Sequence, residues 1–303
     1  MKYHLWAEQW LDYYIKSSVK ERTYVKYRRL LHTYILPELG NKDMDEITAT
    51  DLQKLTAGLT TEGLAPNTVN GIISVLKATL NKANMLGIVE KKQSDLIVRP
   101  KAREKQITCF ERNEQKKLEN YILQGKRMNL YGIILSLYTG LRIGELLALE
   151  WSDVDFKKCV LTVRSSCHDS WQNGKYIKIC DTPKTECSYR TIPIPKQLIP
   201  YLKAMKKAAR CSFVVDGRTP YGAQIRSYQR TFKLVLKKLS LPYRSFHTLR
   251  HTFATRALEC GVDVRTLSEI LGHKNPNITL RRYAHSLMTH KTEMMNKIGK
   301  LLQ

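Results

Sequence analysis

The sequence lacks the short motifs that mark several common classes of enzyme. It has no P-loop, no GxGxxG dinucleotide fingerprint, no HExxH zinc motif and no CxxC pair. Its seven cysteines are scattered from Cys109 to Cys260, an odd number that supports neither a disulfide framework nor a zinc ribbon. A reducing cytoplasm fits this use of cysteine best. These absences argue against a nucleotide-dependent enzyme, a zinc enzyme and a disulfide-stabilised secreted protein.

Long apolar runs are also missing. No stretch approaches the ~18–20 apolar residues that a membrane-spanning helix needs, and the first ten residues lack the charged and then apolar layout of a signal peptide. Apolar residues nevertheless make up 43% of the chain, which is typical of a globular protein. We therefore expect folded domains that do not associate with a membrane.

Acidic residues are scarce. Lys and Arg number 51 against 27 Asp and Glu, which gives the 303-residue chain a formal net charge of +24. The excess is uneven, because residues 1–100 carry a net charge of +3 and residues 101–303 a net charge of +21. It lies within periodic, foldable sequence and not in a tail. This distribution favours a folded surface that binds a polyanion, and nucleic acid is the first candidate.

Length and pattern predict two domains. Residues 1–97 show apolar residues at helical spacing and predict four or five helices. Thr48–Asp51 resembles a helix N-cap, and Pro66 opens a long helix to about Asn84. Residues 98–107 are polar and basic and contain Pro100, so we expect an interdomain linker. Its charges are compatible with solvated flexibility and with a basic strap across a phosphate backbone.

The second domain, residues 108–303, is predicted to combine helices with a small antiparallel β-sheet. Alternating apolar residues predict strands at 160–163 and 176–179, and the loop between them, 169–174, contains a hairpin signal in Asn173-Gly174. Residues 190–195 predict an edge strand, because proline is tolerated mainly there. Helices are predicted near 111–123, 130–138, 142–149, 196–209, 221–239, 247–260, 264–271 and 278–283, with a tail helix from about 287.

Basic residues at helix starts carry the first chemical signal. Arg142 follows Gly140 at the start of a predicted helix, where a cation opposes the helix dipole and is a poor choice for stability. His247 and Arg250 are three residues apart and share a helix face near an N-terminus, where anions bind readily. Such groups suit a phosphate, since a guanidinium can bond two of its oxygens. Taken singly, none of these residues would justify a functional assignment.

Their order and spacing resemble the tyrosine recombinase (phage integrase, λ-integrase-like) family. The family pattern is Arg, a β-hairpin Lys, His-x-x-Arg, His or Trp, and Tyr. The flanking segments TGLRIGELLAL, HTLRHTFAT and LGH match as well. The resemblance implies a mainly α fold with a small antiparallel β-sheet, in which 1–97 is a SAM-like core-binding domain and 108–303 an α+β catalytic domain. The residues that match the pattern are Arg142, Lys184, His247, Arg250, His273 and Tyr283.

The resemblance also implies a role for each of these residues. Tyr283 is expected to attack a DNA phosphodiester and form a 3′-phosphotyrosyl intermediate, with Lys184 as general acid for the departing 5′-oxygen. His247 is expected to assist removal of the tyrosine proton. The non-bridging phosphate oxygens are expected to bind Arg142, Arg250 and His273. Glu145 is expected to support the site by orienting a histidine or an arginine, and neither a metal nor another cofactor is required.

The implied partners are double-stranded DNA recombination sites, three further copies of the chain in a synaptic tetramer, and an excisionase or other accessory protein, in the bacterial cytoplasm at the nucleoid. The two units would clamp the duplex. Many integrases of mobile elements carry an additional N-terminal arm-binding domain, and we expect it to be naturally absent here or removed. Candidate phosphate contacts are Arg28, Arg29, Lys101, Arg103, Arg226, Arg230 and Arg244.

Alternatives remain open within and outside this family. The long hairpin favours an integrase of a phage or mobile element over a Xer-like or inversion recombinase acting on a single replicon. A relaxing enzyme of the type IB topoisomerase kind shares the chemistry without synapsis, and a DNA-binding regulator with a decayed site is a further reading. The apolar side of the tail helix would pack either on a neighbouring protomer or within its own chain; it comprises Met294, Met295, Ile298 and Leu302.

Overall fold

The protein forms two compact units, Met1–Lys105 and Gln106–Gln303. The computed structural model describes residues 1–90, 93–101, 108–125, 127–172, 174–181, 189–217, 221–273, 275–283, 295–296 and 298–300. These residues are mostly helical and include two small antiparallel sheets. The predicted mainly α fold with a small β component is therefore confirmed. The boundary between the units falls within 98–107, the segment predicted as a linker.

Unit 1 is a helical bundle around a core of its own. Tyr3, Trp6, Leu31 and Ile72 are among its fully buried side chains. The predicted N-cap is present, because the Thr48 hydroxyl accepts from the Asp51 backbone N–H and the Asp51 carboxylate accepts from the Thr48 backbone N–H. The helices are α1 (Tyr3–Gln9), α2 (Glu21–Leu30), α3 (Leu36–Leu39), α4 (Ala49–Thr61) and α5 (Pro66–Met85), with π-helical segments Trp10–Ile15 after α1 and Leu31–Ile35 after α2.

The first part of the predicted linker belongs to unit 1. The Val98 backbone N–H donates to the Gln53 side-chain oxygen of α4 at 3.1 Å. Asn70 of α5 donates from its side-chain amide to the Pro100 carbonyl at 3.1 Å, and Arg99 donates to the Asn70 carbonyl at 3.2 Å. Residues 98–101 are therefore held against the helices of unit 1. The sequence could not reveal this, because the contacts are polar and lack an apolar period.

Unit 2 packs helices around a short three-stranded sheet. The strands are β1 (Val154–Asp155), β2 (Val160–Val163) and β5 (Arg190–Pro193). β2 lies in the middle and β5 at one edge, where its proline is tolerated, as the sequence predicted. The main core fills the space between this sheet and the helices, and it buries Phe110, Leu135, Leu161 and Phe232. The helices are α6 (Arg112–Leu123), α7 (Tyr131–Thr139), α8 (Ile143–Ala148), α9 (Ile199–Lys207), α10 (Ile225–Lys238), α11 (His247–Glu259), α12 (Val264–Leu271) and α13 (Pro276–Tyr283).

A separate β-hairpin differs from the sequence prediction. β3 (Ser166–Gln172) pairs with β4 (Lys175–Asp181), so β3 occupies much of the region predicted as loop and 160–163 pairs elsewhere. Polar residues fill β3, which is why no apolar alternation marked it. Its last pair is Gln172 with Lys175, so the strands extend through most of the 169–174 segment predicted as a loop, and the hairpin signal Asn173-Gly174 lies in sequence between them.

The hairpin also contains a disulfide that the sequence did not predict. Cys167 of β3 lies opposite Cys180 of β4 in the antiparallel register, and the two form a disulfide. The pairing could not be anticipated, because it depends on a strand that the sequence did not reveal. A single cross-strand pair remains different from the disulfide framework that the cysteine spacing argued against.

Candidate active site

The start of α8 places Arg142. Gly140 precedes it in the left-handed conformation at φ 66°, and a Cβ there would approach the Phe253 and Leu271 side chains to 2.6 and 2.7 Å. A residue with a side chain would be strained by this backbone and by these contacts. Arg142 is the N-cap residue of α8, and its side chain is 36% exposed. The glycine therefore turns the chain so that the guanidinium of Arg142 reaches the surface of the site.

Arg250 lies on the first turn of α11 and is almost fully buried, at 2% exposure. Its guanidinium donates to the Gly140 carbonyl at 2.9 Å, to the Leu271 carbonyl at 2.7 Å and to Nε2 of His273 at 2.8 Å. Because a guanidinium has no acceptor, Nε2 of His273 must accept this bond. The structure thus brings Arg250 and His273 into direct contact.

The other ring nitrogen of His273 contacts α13. With Nε2 accepting, Nδ1 carries the proton and donates to the Thr279 hydroxyl at 2.7 Å. Thr279 is fully buried, and its hydroxyl also bonds the Ser268 hydroxyl at 3.0 Å. Thr279 lies one helical turn before Tyr283, the last residue of α13. A chain of hydrogen bonds therefore connects Arg250 to the helix that ends at Tyr283.

Glu145 organises the arginine side of the site. One carboxylate oxygen, Oε1, accepts from the Arg142 guanidinium at 2.7 Å, and Oε2 accepts from the Arg142 backbone N–H at 2.9 Å. Arg190 of β5 donates to both oxygens, at 3.2 and 2.9 Å. Burial alone would raise the pKa of Glu145, but the bonds and charges of Arg190 and Arg142 outweigh it and lower the pKa to about 2. The Glu145 carboxylate therefore binds two arginines, Arg142 and Arg190.

The comparison with known families decides the identity. Residues 104–290 match the phage integrase family, and residues 4–59 match the phage integrase N-terminal SAM-like domain. The chain belongs to the phage integrase family of tyrosine recombinases. These enzymes cleave and rejoin DNA strands.

Relatives of this recombinase include enzymes named for different tasks. A XerC-like tyrosine recombinase of Caldanaerobacter subterraneus subsp. tengcongensis is 33% identical over 96% of this chain and 81% of its own. The ICEBs1 integrase of Bacillus subtilis is 27% identical over 93% of this chain and 79% of its own.

Solved structures share the fold. An integrase of the Tn1549 transposon in complex with transposon right end DNA superposes with a TM-score of 0.85 at 23% identity, over 99% of this chain and 100% of that one. A λ integrase tetramer bound to a Holliday junction superposes with a TM-score of 0.70 at 18% identity, over 91% and 78% of the two chains.

The remaining residues of the recombinase motif are placed only in part. His247 begins α11 and is exposed, and its ring meets that of His251 edge to face at 4.6 Å between centroids. Lys184 lies outside the described residues, as does the side chain of Tyr283, whose backbone ends α13. In the tail, Met295 and Ile298 are exposed, whereas Met294 and Leu302 lie outside the described part of the chain.

The candidate DNA contacts fall into different settings. Arg226 is exposed, but its guanidinium lies 3.4 Å above the Tyr176 ring and near Asp169 of the hairpin. Arg244 is 14% exposed and pairs with Glu114 at 2.9 Å, so its place is an interior ion pair and not an open surface. Arg103 lies outside the described residues. Arg28, Arg29, Lys101 and Arg230 are exposed.

Sequence reasoning missed three residues that shape the site. Arg190 could have been found from the sequence pattern, since it is in phase with buried Ile192 of β5 and with buried Ile194 just after that strand. An arginine at an inward position of a strand is unusual unless it is paired. Thr279 and Lys178 carried no such signal. Lys178 of β4 donates to the Leu147 and Tyr221 carbonyls, both at 2.8 Å, and burial lowers its pKa to about 8.

Proposed function

We propose that this recombinase cleaves DNA through Tyr283. The tyrosine oxygen bonds the scissile phosphorus as the bond from phosphorus to the 5′-oxygen breaks, which leaves a 3′-phosphotyrosyl linkage and a 5′-hydroxyl. His247 takes the tyrosine proton and Lys184 protonates the departing 5′-oxygen. Attack of a 5′-hydroxyl on the linkage reverses these steps and rejoins the strand. The phosphodiester energy is kept in the linkage, so no cofactor is consumed.

One observation supports this proposal most directly. Arg142 at the N-cap of α8, Arg250 of α11 and His273 just after α12 meet at the C-terminal end of α12, next to the helix that ends at Tyr283. Phosphoryl transfer needs positioned positive charge more than any other aid, because charge spreads over the phosphate oxygens in the transition state. A buried arginine beside a partly exposed one suits that demand.

Covalent trapping tests the proposed chemistry. The full chain is mixed, without metal or ATP, with a nicked suicide substrate that carries a candidate core site. We expect an adduct that survives denaturant and disappears in Tyr283→Phe. An adduct that persists in Tyr283→Phe would show that another residue is the nucleophile. Tight binding without any adduct, on a substrate that a relative cleaves, would favour the decayed regulator.

We further propose that the substrate is the pair of sites used in integration and excision of a phage or mobile element. The similarity to the ICEBs1 integrase supports this choice. The similarity to a XerC-like recombinase favours the alternative, resolution within one replicon. Product analysis separates the two: an integrase joins sites on separate molecules, whereas a resolving enzyme acts on paired sites within one circle.

The proposed assembly is a tetramer at the synapse of two sites, acting in the cytoplasm at the nucleoid. An excisionase is proposed as a partner, because integration and excision run in opposite directions and need a signal that selects one. Mass photometry on paired sites should show four protomers per synapse. Addition of the element's small basic proteins should change the ratio of excised to integrated product. An unchanged ratio with all of them would remove the excisionase from the proposal.

A further inference from the structure

The C-terminal turn of α12 accepts hydrogen bonds from arginines of three other elements. The Ile270, Leu271 and Gly272 carbonyls form this turn, and we name it the carbonyl turn. Each of its carbonyls accepts from an arginine: Ile270 from Arg190 at 2.6 Å, Leu271 from Arg250 at 2.7 Å, and Gly272 from Arg142 at the longer distance of 3.5 Å.

The physical basis of this arrangement is the end of a helix. The last carbonyls of an α-helix lack the usual partner four residues on, and the helix dipole adds partial negative charge there. Gly272 ends α12 in the left-handed conformation at φ 64°. The chain therefore turns sharply, and the carbonyls stay accessible to side chains. Two of the three arginines belong to the recombinase motif, but Arg190 does not.

Arg190 is placed so that it holds neighbouring groups in position. It is 8% exposed, and its guanidinium spans the carbonyl turn and both oxygens of Glu145. Glu145 in turn holds the guanidinium and the backbone N–H of Arg142. Without Arg190, the Glu145 carboxylate would lose the arginine that binds both of its oxygens and could rotate together with Arg142. With Arg190, the carboxylate is fixed between two arginines.

We propose that Arg190 is a positioning residue for strand cleavage, which holds Glu145 against the carbonyl turn so that Arg142 is directed at the scissile phosphate. The inference rests on the proposed function, in which Arg142 binds that phosphate. Arg190 is buried behind Glu145 and acts through it, so it does not itself need to touch DNA.

A charge-neutral phosphate distinguishes positioning from mere structural support. In a methylphosphonate one non-bridging oxygen is replaced by a methyl group, so less negative charge develops and less arginine assistance is needed. A defect that acts through Arg142 should shrink on this substrate, whereas a folding defect should reduce cleavage of both substrates equally. Each variant is therefore compared with the unmodified chain on a phosphodiester and on a methylphosphonate at the scissile position.

The variants are Arg190→Met, Arg190→Lys, Glu145→Gln and the reference Arg142→Ala, all in the full chain. Arg256→Met is the matched control, because Arg256 also forms a partly buried ion pair in unit 2, with Glu259. Single-turnover cleavage at saturating DNA gives the rate, and the Kd for the site is measured separately. Arg190→Lys keeps the charge and so provides a folded variant should Arg190→Met not accumulate.

We expect Arg190→Met to slow phosphodiester cleavage about 100-fold and Arg190→Lys about tenfold, since a lysine cannot bond both oxygens. The Kd should change less than about threefold, because the phosphate contacts that dominate affinity remain. On the methylphosphonate, the defects of Arg190→Met and Arg142→Ala should both shrink to about threefold. Arg256→Met should cleave both substrates at the unmodified rate per folded molecule.

Three results would overturn the inference. Equal defects of the Arg190 variants on the two substrates, beside a rescued Arg142→Ala, would make Arg190 a structural residue and leave the proposed function intact. An Arg142→Ala variant that the methylphosphonate does not rescue would contradict the phosphate-binding role of Arg142 and the inference with it. Full phosphodiester activity in both Arg190 variants would likewise exclude the positioning role.

Discussion

At the scale of single residues, the site depends on hydrogen bonds that allow one arrangement only. Arg250 can only donate, so the Nε2 atom of His273 must accept and its Nδ1 atom must donate to Thr279. The bonds to Arg250 of α11 and Thr279 of α13 therefore fix which ring nitrogen of His273 carries the proton. An exposed histidine has no such constraint. In the proposed reaction, the tautomer in which His273 contacts the phosphate is set by these neighbours.

Thr279→Val tests this dependence. Valine keeps the shape of threonine but removes the hydroxyl that accepts from His273, so the ring loses its fixed proton position. We expect single-turnover cleavage to fall about tenfold, the equivalent of one hydrogen bond of about 1.4 kcal/mol. Thr56→Val, which removes a buried hydroxyl bonded within α4 of unit 1, is the control. Equal rates in the two variants would contradict the role of Thr279.

Glu145 makes stability depend on pH. Its pKa is about 2 in the folded chain against an ordinary 4.5, so folding favours the ionised form. The stabilisation is complete above pH 4.5 and is lost as the pH falls from there toward 2. Between pH 5 and pH 3 the loss amounts to about 2 kcal/mol, at about 1.4 kcal/mol for each pKa unit.

Urea unfolding of the intact chain and of Glu145→Gln checks this value. The glutamine variant should be less stable near pH 7, because it leaves two arginines without a carboxylate. The difference between the two free energies of unfolding should narrow by about 2 kcal/mol on going from pH 5 to pH 3. A difference that stays constant over this range would mean that Glu145 titrates normally.

At the scale of elements, the β3–β4 hairpin is held to unit 2 by Lys178. Its ammonium bonds one carbonyl at the end of α8 and one before α10, and it lies 3.8 Å from the centre of the Phe213 ring. The hairpin packs beside α8, which begins next to Arg142. Lys184 follows β4 by three residues in the sequence. The position of this hairpin therefore affects the placement of both Arg142 and Lys184 in the proposed reaction.

Replacing this lysine should loosen the hairpin. Lys178→Met leaves two carbonyls without their donor, so we expect the free energy of unfolding to fall by about 1–3 kcal/mol. Amide hydrogen exchange in β4 should accelerate by more than exchange in α11. Lys203→Met, at an exposed position of α9, is the control and should change neither measurement. Unchanged exchange in Lys178→Met would show that other contacts hold the hairpin.

Some helices and strands could be predicted from the sequence, and others could not. The helices α5 and α12 were predicted nearly to the residue, because an apolar period and clear ends mark them. β3 was not, since its stability comes from pairing with β4 and from burial beside α8, and neither leaves an alternating pattern. Arg142, Arg250 and His273 were recognisable as a motif. The sequence could not show that these residues meet at the end of α12, nor that Arg190 and Thr279 contact them, because these contacts depend on the tertiary structure.

At the scale of the whole molecule, charge governs the encounter with DNA. The net charge of residues 101–303 is +21, so phosphate contacts should dominate affinity and make it fall steeply with salt. Exposed arginines such as Arg28 and Arg230 are the proposed contacts. Arg244, with its partner Glu114, is expected to contribute little.

The slope of log Kd against log salt concentration distinguishes these two kinds of arginine. Arg28→Gln and Arg230→Gln should each reduce the slope by about 1, the value for one lost phosphate contact. Arg244→Gln should leave the slope unchanged, whatever its effect on stability. A reduced slope in Arg244→Gln would mean that this ion pair opens to meet the DNA.

In the proposed reaction, Tyr283 becomes covalently joined to the 3′ end of a cleaved strand at a site built on the end of α12. Tryptic digestion and mass spectrometry of the trapped adduct identify the residue that carries the nucleotide remnant. We expect one modified peptide, with a 3′-nucleotide on Tyr283 and a free 5′-hydroxyl on the released strand. A remnant on any other residue, or attachment through a 5′-phosphate, would contradict it.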